Sequence, residues 1–420
     1  MVYEQALKTF QSIINTPQFR QLYPKTAEQS NRFERLISLH QQLYHTDNPL
    51  ILASAPGRAE IVGNHTDHNN GLVLACAVNL DTAAAVSKRE DLLINLKSEG
   101  YVTISLSLEH LEPMKSEAGT SAALIRGVAA GLKQRGYEIG GYDAAMNSQV
   151  LSGSGLSSSA AFEVLVCFVF DVLYNGSSID AVTRAQICQC AENVYFMKPS
   201  GLMDQMASSC GGMVRIDFGT TQPRIETLHF SFAEAGYAMV IVNTRSSHDD
   251  LTAAYSAIPQ EMKSAAQAAG GTLLRDVPYE QFIMLLPKVR EKAGDRAVLR
   301  ALHFYQENNR VRAGAAALQS QNLEGFFEAV NDSGISSWTL LQNIWVHTQV
   351  QPIALALALA KELLDKRGAC RVLGGGFAGT TLNFVPHDCV EAFTSAMEAV
   401  FGQGCCHRLD VRRQGPVQLF

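Results

Sequence analysis

The stretch LSGSGLSSSAAFEVL at residues 151–165 joins a loop of glycines and serines directly to a long apolar helix. Gly153 and Gly155 allow the backbone to approach an anion closely, and the serine hydroxyls add donors. The unpaired N–H groups and the positive dipole end of the helix face the same point, so the pattern predicts a phosphate-binding loop. Its spacing fits neither the Walker pattern nor the dinucleotide fingerprint. The alternative interpretation is a turn that only caps a core helix.

Three other segments carry polar chemistry and form a set with this loop. GRAEIVGNHTDHNNG at residues 57–71 contains His65, Asp67 and His68, which by residue type alone make a candidate zinc or iron site. SGLMDQ at 200–205 places an acid at the end of a tight loop. VLGGGFAGTT at 372–381 is a second glycine-rich turn.

The sequence around these segments shows both helical and strand patterns. Residues 1–48 have the period of amphipathic helices, and LILASAPGRAEIV at 50–62 is typical of a strand. GLVLACAVNLDTAAAVSKR at 71–89 is rich in small and β-branched residues and predicts paired strands. AAMNSQV at 144–150 predicts a strand before the phosphate-binding loop, and AAFEVLVCFVFDVLYNG at 160–176 predicts a helix after it.

The composition indicates a soluble α/β protein of two domains. The chain has 420 residues, 47% hydrophobic and 18% charged, with 32 glycines, whereas single cores stop growing beyond about 250–300 residues. We expect a boundary near residue 215, which gives domains 1–215 and 216–420. The net charge of −6 argues against nucleic-acid binding, which needs a basic face.

The sequence predicts neither an export signal nor a membrane span. The opening MVYEQALKTFQ lacks a basic region followed by an apolar one. The most apolar run, VLVCFVF at 164–170, is far shorter than the roughly 20 residues that a membrane span requires. The nine cysteines show no C-x-x-C spacing, so we expect reduced thiols and a cytoplasmic protein.

The ordered set of motifs resembles the galactokinase branch of the GHMP (galacto-, homoserine, mevalonate and phosphomevalonate) kinase superfamily. SAPGRAEIVGNHTDHNNG at 54–71 resembles the galactokinase signature, and SGSGLSSSAAFEV at 152–164 resembles the ATP loop of the superfamily. PSGLMDQ at 199–205 is similar to the segment with the catalytic aspartate, and RVLGGGFAGTTLNFV at 371–385 to the last glycine motif. NTRSSHDDLTAAY at 243–255 ends on a tyrosine at the spacing of the sugar-contacting tyrosine.

The resemblance implies an α+β fold of two domains. An N-terminal α/β domain like ribosomal protein S5 and a C-terminal ferredoxin-like α+β domain would enclose the active site between them. The implied activity is transfer of the ATP γ-phosphate to the anomeric hydroxyl of galactose or a galactose-like sugar. A sensor that binds sugar and ATP without catalysis is the alternative, although Arg58, Asp204 and the whole loop are present. The implied partners are a sugar and MgATP, with no nucleic acid and no membrane, and a monomer or weak dimer.

The same resemblance implies the role of each motif residue. Asp204 would accept or orient the proton of the anomeric hydroxyl, and Arg58 would keep Asp204 ionised and offset charge on the phosphoryl group. The HTD segment would bind the sugar and not a metal. Because the loop has no lysine, backbone dipoles and magnesium would neutralise the phosphates. The remaining implied contacts are Asn64, His65, Asp67, Gly201 and Tyr255 for the sugar, Gly153, Ser154, Gly155, Leu156, Ser157, Ser158 and Ser159 for ATP, and Ser159 and Glu192 for Mg²⁺.

Asn64 departs from the family pattern, which has glutamate before HTD. In galactokinases that carboxylate receives the hydrogen bond of the sugar C6 hydroxyl. Asparagine keeps an acceptor, adds a donor and removes the negative charge. One interpretation is that Asn64 still binds a neutral C6 hydroxyl; the other is a changed C6 group, such as a uronate, a deoxy sugar or an amino sugar.

Overall fold

The structure is a computed structural model that describes residues 2–151, 155–245, 251–345, 347–377 and 379–420. Gly153 and Ser154, which were predicted to contact ATP, lie outside the described residues. The helices α1 to α14, in chain order, are Val2–Ile13, Pro17–Leu22, Thr26–Tyr44, Ser121–Gln134, Ser158–Tyr174, Ala181–Cys190, Met203–Cys210, Thr252–Ala268, Tyr279–Met284, Leu286–Ala293, Asp295–Gln319, Leu323–Ser336, Pro352–Leu364 and Val390–Phe401. The strands β1 to β12 are Leu50–Val62, Leu72–Lys88, Leu93–Ser98, Ile104–Ser107, Tyr142–Ser148, Met213–Asp217, Arg224–Leu228, Tyr237–Asn243, Ala369–Leu373, Thr380–Pro386, Cys406–Leu409 and Val417–Gln418.

The strands form two sheets. The larger sheet has the order β12-β1-β2-β5-β3-β4, with β6 pairing to β2 and β7 to β6, and the smaller sheet has the order β11-β8-β10-β9. The pair β3–β5 is parallel, and the other pairs of these sheets are antiparallel. Among the described residues, no helix is both long and apolar enough to cross a membrane.

The centre of the larger sheet is covered on both faces, which explains the continuous apolar character of its strands. Along β2, Ala84 and Val86 pack with α4 and α5, whereas Ala83 and Ala85 pack with the N-terminal helices α1 to α3. Successive side chains of a strand point to opposite faces, so a strand buried on both faces shows no polar alternation.

The strands predicted at 50–62 and 144–150 are confirmed as β1 and β5, and the helix predicted at 160–176 is confirmed as α5. Residues 152–154 of the loop between β5 and α5 lie outside the described residues. The prediction of paired strands at 71–89 was wrong, because this segment is the single strand β2. The proposed domain boundary at residue 215 lies within β6, while β7 and the C-terminal β12 also pair in the larger sheet. The boundary stays a prediction.

A buried ionic cluster ties the N-terminal helices and the C-terminal tail to β2. The side chain of Asp81 is fully buried and accepts hydrogen bonds from Arg32 Nη1 at 2.5 Å, Arg412 Nη1 at 3.1 Å and Tyr23 Oη at 2.6 Å. Burial raises the pKa of Asp81, but the two guanidinium groups and the tyrosine hydroxyl outweigh burial and hold it below its usual range.

Candidate active site

The motifs that are far apart in sequence meet in one cleft. The end of β1, the HTD segment, the start of α7, the start of α8 and the glycine turn after β9 contribute its walls. Residues lining the cleft include Arg58, Asn64, His65, Asp67, Gly201, Asp204 and Tyr255. All seven were predicted from sequence to bind sugar or to act in catalysis.

Arg58 connects the cleft to the ATP loop through Asp204. Its Nε donates to Asp204 Oδ1 at 2.7 Å and its Nη2 lies 2.6 Å from Oδ2, which is a two-point ion pair. Its Nη1 donates to the carbonyl oxygen of Gly155, and its backbone N–H donates to Leu156 O at 3.1 Å. Ser157 Oγ donates to Asp204 Oδ2 at 2.6 Å. Arg58 and Asp204 therefore form one connected network of hydrogen bonds with Gly155, Leu156 and Ser157.

This arrangement controls the protonation of Asp204. Burial raises the pKa of Asp204, but the Arg58 guanidinium and the Ser157 hydroxyl outweigh burial and place it below its ordinary value. Asp204 is therefore a carboxylate at neutral pH and a weak base. Such a group orients a hydroxyl first and takes its proton only when the hydroxyl has become acidic.

Ser157 takes a strained backbone conformation at the start of α5. Its φ is +57°, in the left-handed region that is sparsely populated by residues other than glycine. Its hydroxyl binds Asp204 and does not cap the helix. The N–H groups in the first turn of a helix have no intrahelical acceptor. The sequence alternative, a turn that only caps α5, does not account for a serine whose hydroxyl binds the candidate catalytic acid.

Ser159 on α5 and Glu192 after α6 are the predicted metal-binding pair. Ser159 Oγ donates to Glu192 Oε1 at 3.2 Å. Glu192 is 2% exposed and lies in a π-helical turn, Ala191–Tyr195, after α6. Its other oxygen accepts from Gln205 Nε2 at 2.8 Å, and Gln205 also donates to Glu163 Oε2 at 3.1 Å.

Lys198 supplies a cation at this point that the sequence analysis missed. Its Nζ lies 3.1 Å from Glu192 Oε1, the oxygen that accepts from Ser159, and its side chain is 58% exposed. It also lines the cleft. The available sequence signal was its position immediately before PSGLMDQ. The expectation that backbone dipoles and magnesium neutralise the phosphates stays a prediction.

The side of the cleft that was predicted to bind sugar depends on two glycines that have no room for a side chain. A Cβ added at Gly201 would lie 1.7 Å from Asp67 Oδ2, and one at Gly375 would lie 1.2 Å from Tyr255 Oη. Asp67 Oδ1 accepts from the backbone of His68 at 3.0 Å. Because neither glycine has a side chain, the Asp67 carboxylate and the Tyr255 phenol can lie at the cleft.

His65 is held as a neutral imidazole. Burial lowers its pKa to about 3, with His68 acting in the same direction. Its Nε2 lies 3.0 Å from the carbonyl oxygen of Gly375, so Nε2 carries the proton and Nδ1 is left as an acceptor. Among the residues that the structure describes, no three His, Cys, Asp or Glu side chains form a group suited to a metal ion.

Asn64 lies at the cleft, but its amide is fully bonded within the protein. Its side chain is 0% exposed. Nδ2 donates to Gly374 O at 2.7 Å and to Glu60 Oε1 and Oε2 at 3.0 and 3.2 Å. Oδ1 accepts from Asn343 Nδ2 at 2.7 Å and Ser337 Oγ at 3.4 Å. A direct contact of Asn64 with a sugar substituent stays a prediction.

Glu60 is a second residue that the sequence analysis missed. It lies within GRAEIV, is 3% exposed and lines the cleft. Its Oε1 accepts from Arg371 Nη2 at 2.7 Å. Burial raises the pKa of Glu60, and the guanidinium groups of Arg371 and Arg58 oppose the rise. Its place in the signature was the only sequence signal, because Arg371 is more than 300 positions away.

Comparison with known proteins places these features in a family. Residues 38–88 match the galactokinase galactose-binding signature, and residues 123–212 match the N-terminal domain of GHMP kinases. A galactokinase of Streptomyces coelicolor is 33% identical over 368 residues, which are 86% of this chain and 91% of that protein. A galactokinase of Glaesserella parasuis is 33% identical over 343 residues, covering 80% of this chain and 86% of that protein.

Solved structures of a galactokinase and of a mevalonate kinase also match the fold of this chain. Lactococcus lactis galactokinase complexed with galactose matches with a TM-score of 0.80 and 25% identity, covering 92% of this chain and 99% of that one. Methanococcus jannaschii mevalonate kinase matches with a TM-score of 0.61 and 12% identity, covering 87% and 98%. The second likeness supports the two-domain α+β fold alone.

Proposed function

Because the chain belongs to the galactokinase family of the GHMP kinases, and is therefore an ATP-dependent sugar kinase, we propose that it phosphorylates the anomeric hydroxyl of galactose. The observation that carries the proposal is the cluster of Arg58, Asp204 and Ser157, which joins the ATP loop to the cleft. Two curated relatives at 33% identity are galactokinases, and a structural neighbour was solved with galactose. These names support galactose as the sugar.

In the proposed mechanism, Asp204 accepts a hydrogen bond from the anomeric hydroxyl and directs its oxygen at the γ-phosphate. Because the pKa of Asp204 is lowered, the proton moves late, when the new O–P bond has already made the hydroxyl acidic. This order suits phosphoryl transfer, whose loose transition state depends on positioning and charge neutralisation. Arg58 offsets negative charge on the transferring group, and it also keeps Asp204 in place.

We assign the phosphate side to Gly155, Leu156 and the serines 157–159 at the start of α5. Gly155 has a φ of +71°, which turns the chain sharply at the loop. The N-terminus of α5 provides N–H donors and a positive dipole end. Lys198 adds an ammonium group beside Glu192. On the sugar side, His65, Asp67, Gly201 and Tyr255 fix the ring hydroxyls.

Ser159 and Glu192 suit a magnesium ion, since Mg²⁺ prefers hard oxygen ligands. The ammonium group of Lys198 already lies at Glu192 Oε1, which is evidence that this oxygen attracts a cation. Gln205 holds the other carboxylate oxygen and so fixes the direction of the first. When bound, the ion would neutralise charge on the nucleotide phosphates.

We expect chelation with EDTA to stop turnover and excess Mg²⁺ to restore it, with no stoichiometric transition metal in the purified protein. Glu192→Gln should raise the Mg²⁺ concentration for half-maximal activity by about 10- to 100-fold, because a charged ligand is lost. Titration of both proteins with Mg²⁺ at saturating sugar measures this shift. An unchanged titration, or one equivalent of tightly held zinc, would contradict the assignment.

The proposed function is tested by ATP consumption over a panel of sugars. The panel contains galactose, galacturonate, galactosamine, N-acetylgalactosamine, fucose, arabinose, glucose and mannose. We expect galactose to be phosphorylated with the highest kcat/KM. Binding of sugar and ATP without turnover would instead favour the sensor alternative, and preference for another sugar would replace galactose.

A further inference from the structure

The sugar-binding side of the cleft contains a carboxylate to which the proposed mechanism gives no role. Glu60 is 3% exposed and lines the cleft with Asn64 and His65. Its partner Arg371 is fully buried and also donates from Nη1 to Ile61 O at 2.8 Å. Burial raises the pKa of Glu60 overall, and the guanidinium of Arg371, which remains protonated in proteins, opposes that rise and favours the charged form.

Asn64 serves Glu60 and has no bonding capacity left for a sugar. Its two amide hydrogens go to the Glu60 carboxylate and to Gly374 O, and its oxygen accepts from Asn343 and Ser337. Turning the amide over would place its oxygen against the carboxylate and the carbonyl, so these contacts fix its orientation. Position 64, immediately before HTD, therefore affects the cleft through the carboxylate of Glu60.

Glu60, which lines the cleft, retains acceptor capacity on one carboxylate oxygen within the described part of the chain. Oε1 accepts two hydrogen bonds, from Arg371 at 2.7 Å and Asn64 at 3.0 Å. Among the described residues, Oε2 accepts a single hydrogen bond, the longer contact of 3.2 Å from Asn64. A carboxylate oxygen has two lone pairs, and a charge-assisted hydrogen bond from a hydroxyl group is stronger than a neutral one.

We propose that Glu60 determines sugar specificity: its Oε2 accepts a hydrogen bond from a sugar hydroxyl, while Arg371 and Asn64 hold the carboxylate in place. The inference rests on the proposed function and narrows its substrate class to neutral hexoses. A uronate whose carboxylate faced Glu60 would meet a like charge, with both hydrogens of Asn64 already donated. The negative charge that position 64 lacks is present in the cleft at position 60.

Calorimetric binding of galactose and galacturonate to the whole protein tests the proposal without requiring turnover. We expect the wild type to bind galacturonate at least about 100-fold more weakly than galactose, because two carboxylates would meet in a desolvated site. Glu60→Gln should weaken galactose binding by about 10- to 100-fold and narrow the ratio between the two sugars by at least about tenfold.

Glu307→Gln is a matched control. Glu307 is fully buried, pairs with Arg310 at 2.7 Å and accepts from the backbone of Gly63 and Asn64, but it is not part of the cleft lining. Its replacement should lower stability and leave the ratio of the two affinities unchanged. A purely structural Glu60 would behave in the same way as this control.

The outcomes separate the two proposals. The role of Glu60 is overturned if the ratio of the galactose and galacturonate affinities of Glu60→Gln stays within about threefold of the wild-type ratio. It is also overturned if the wild type binds galacturonate more tightly than galactose. Absence of sugar phosphorylation by the wild type overturns the proposed function and leaves the binding ratio to decide on Glu60. Binding of neither sugar overturns both.

Discussion

Asp204→Asn should lower kcat by about 100-fold or more, because the amide can accept a hydrogen bond from the anomeric hydroxyl but cannot take its proton. Sugar and nucleotide should still bind, since the amide oxygen of the new side chain remains available to Arg58 and Ser157, the two partners of the carboxylate. Steady-state kinetics give kcat, and calorimetry gives the two affinities. The expected pattern is lost turnover with retained binding.

Two controls separate chemistry from disruption of the site. Ser157→Ala removes one donor to Asp204 but keeps the carboxylate, and should therefore cost much less turnover than Asp204→Asn. Thermal unfolding of each variant shows whether Arg58, which is 5% exposed, tolerates the loss of its ion-pair partner. Near wild-type turnover of Asp204→Asn in a folded protein would remove Asp204 from the catalytic role.

The residues within local motifs were predictable because residue types at short, fixed spacings already indicate their chemistry. Arg58, Ser157, Ser159 and Asp204 each belong to a segment whose glycines and helix start already indicate a phosphate or sugar site. Bringing these segments together in space required the fold, which the ordered motifs identified through the family resemblance. The roles of these residues stay predictions until the variants are measured.

The sequence analysis missed Glu60 because its ion-pair partner, Arg371, comes from a distant segment. Glu60 depends on Arg371 and on Asn64, whose amide is in turn saturated by Asn343 and Gly374. A substitution at position 64 therefore looked like a change in sugar contact, although the structure shows an amide bonded to a neighbouring carboxylate. No pattern of neighbouring residues indicates that the Glu60 carboxylate is held by an arginine from a distant segment.

The same limit explains the error in β2. Asn79 and Asp81 interrupt its apolar run, and polar residues between two apolar segments indicate a turn when only local sequence is available. In the fold, both residues have hydrogen-bond partners in distant segments. The backbone N–H of Asn79 donates to Asp410 O at 3.0 Å, and the Asp81 carboxylate accepts hydrogen bonds from two arginines and a tyrosine. The strand continues because its polar residues have tertiary partners.

Asp81→Ala should lower the free energy of unfolding by about 3–5 kcal/mol, because it leaves two buried guanidinium groups without a counter-charge. Arg32 is 3% exposed and Arg412 is 3% exposed, so water cannot replace the carboxylate. The loss should affect the packing of the N-terminal helices and the C-terminal tail on β2. Urea unfolding at pH 7 measures this loss as the difference between wild type and variant in the free energy of the first unfolding transition.

The pH dependence follows from the lowered pKa of Asp81. The stabilisation is fully present above the pKa of the unfolded chain, which is about 3.9 for aspartate, and is lost as pH falls through the lower folded value. The difference between wild type and Asp81→Ala should thus be constant from neutral pH down to about 5 and shrink in stronger acid. Asp388→Ala is the control, because Asp388 and its partner Arg367 are both exposed, and such pairs add little to stability. A loss for Asp81→Ala as small as that of Asp388→Ala would show that this cluster does not hold the two chain ends to the sheet.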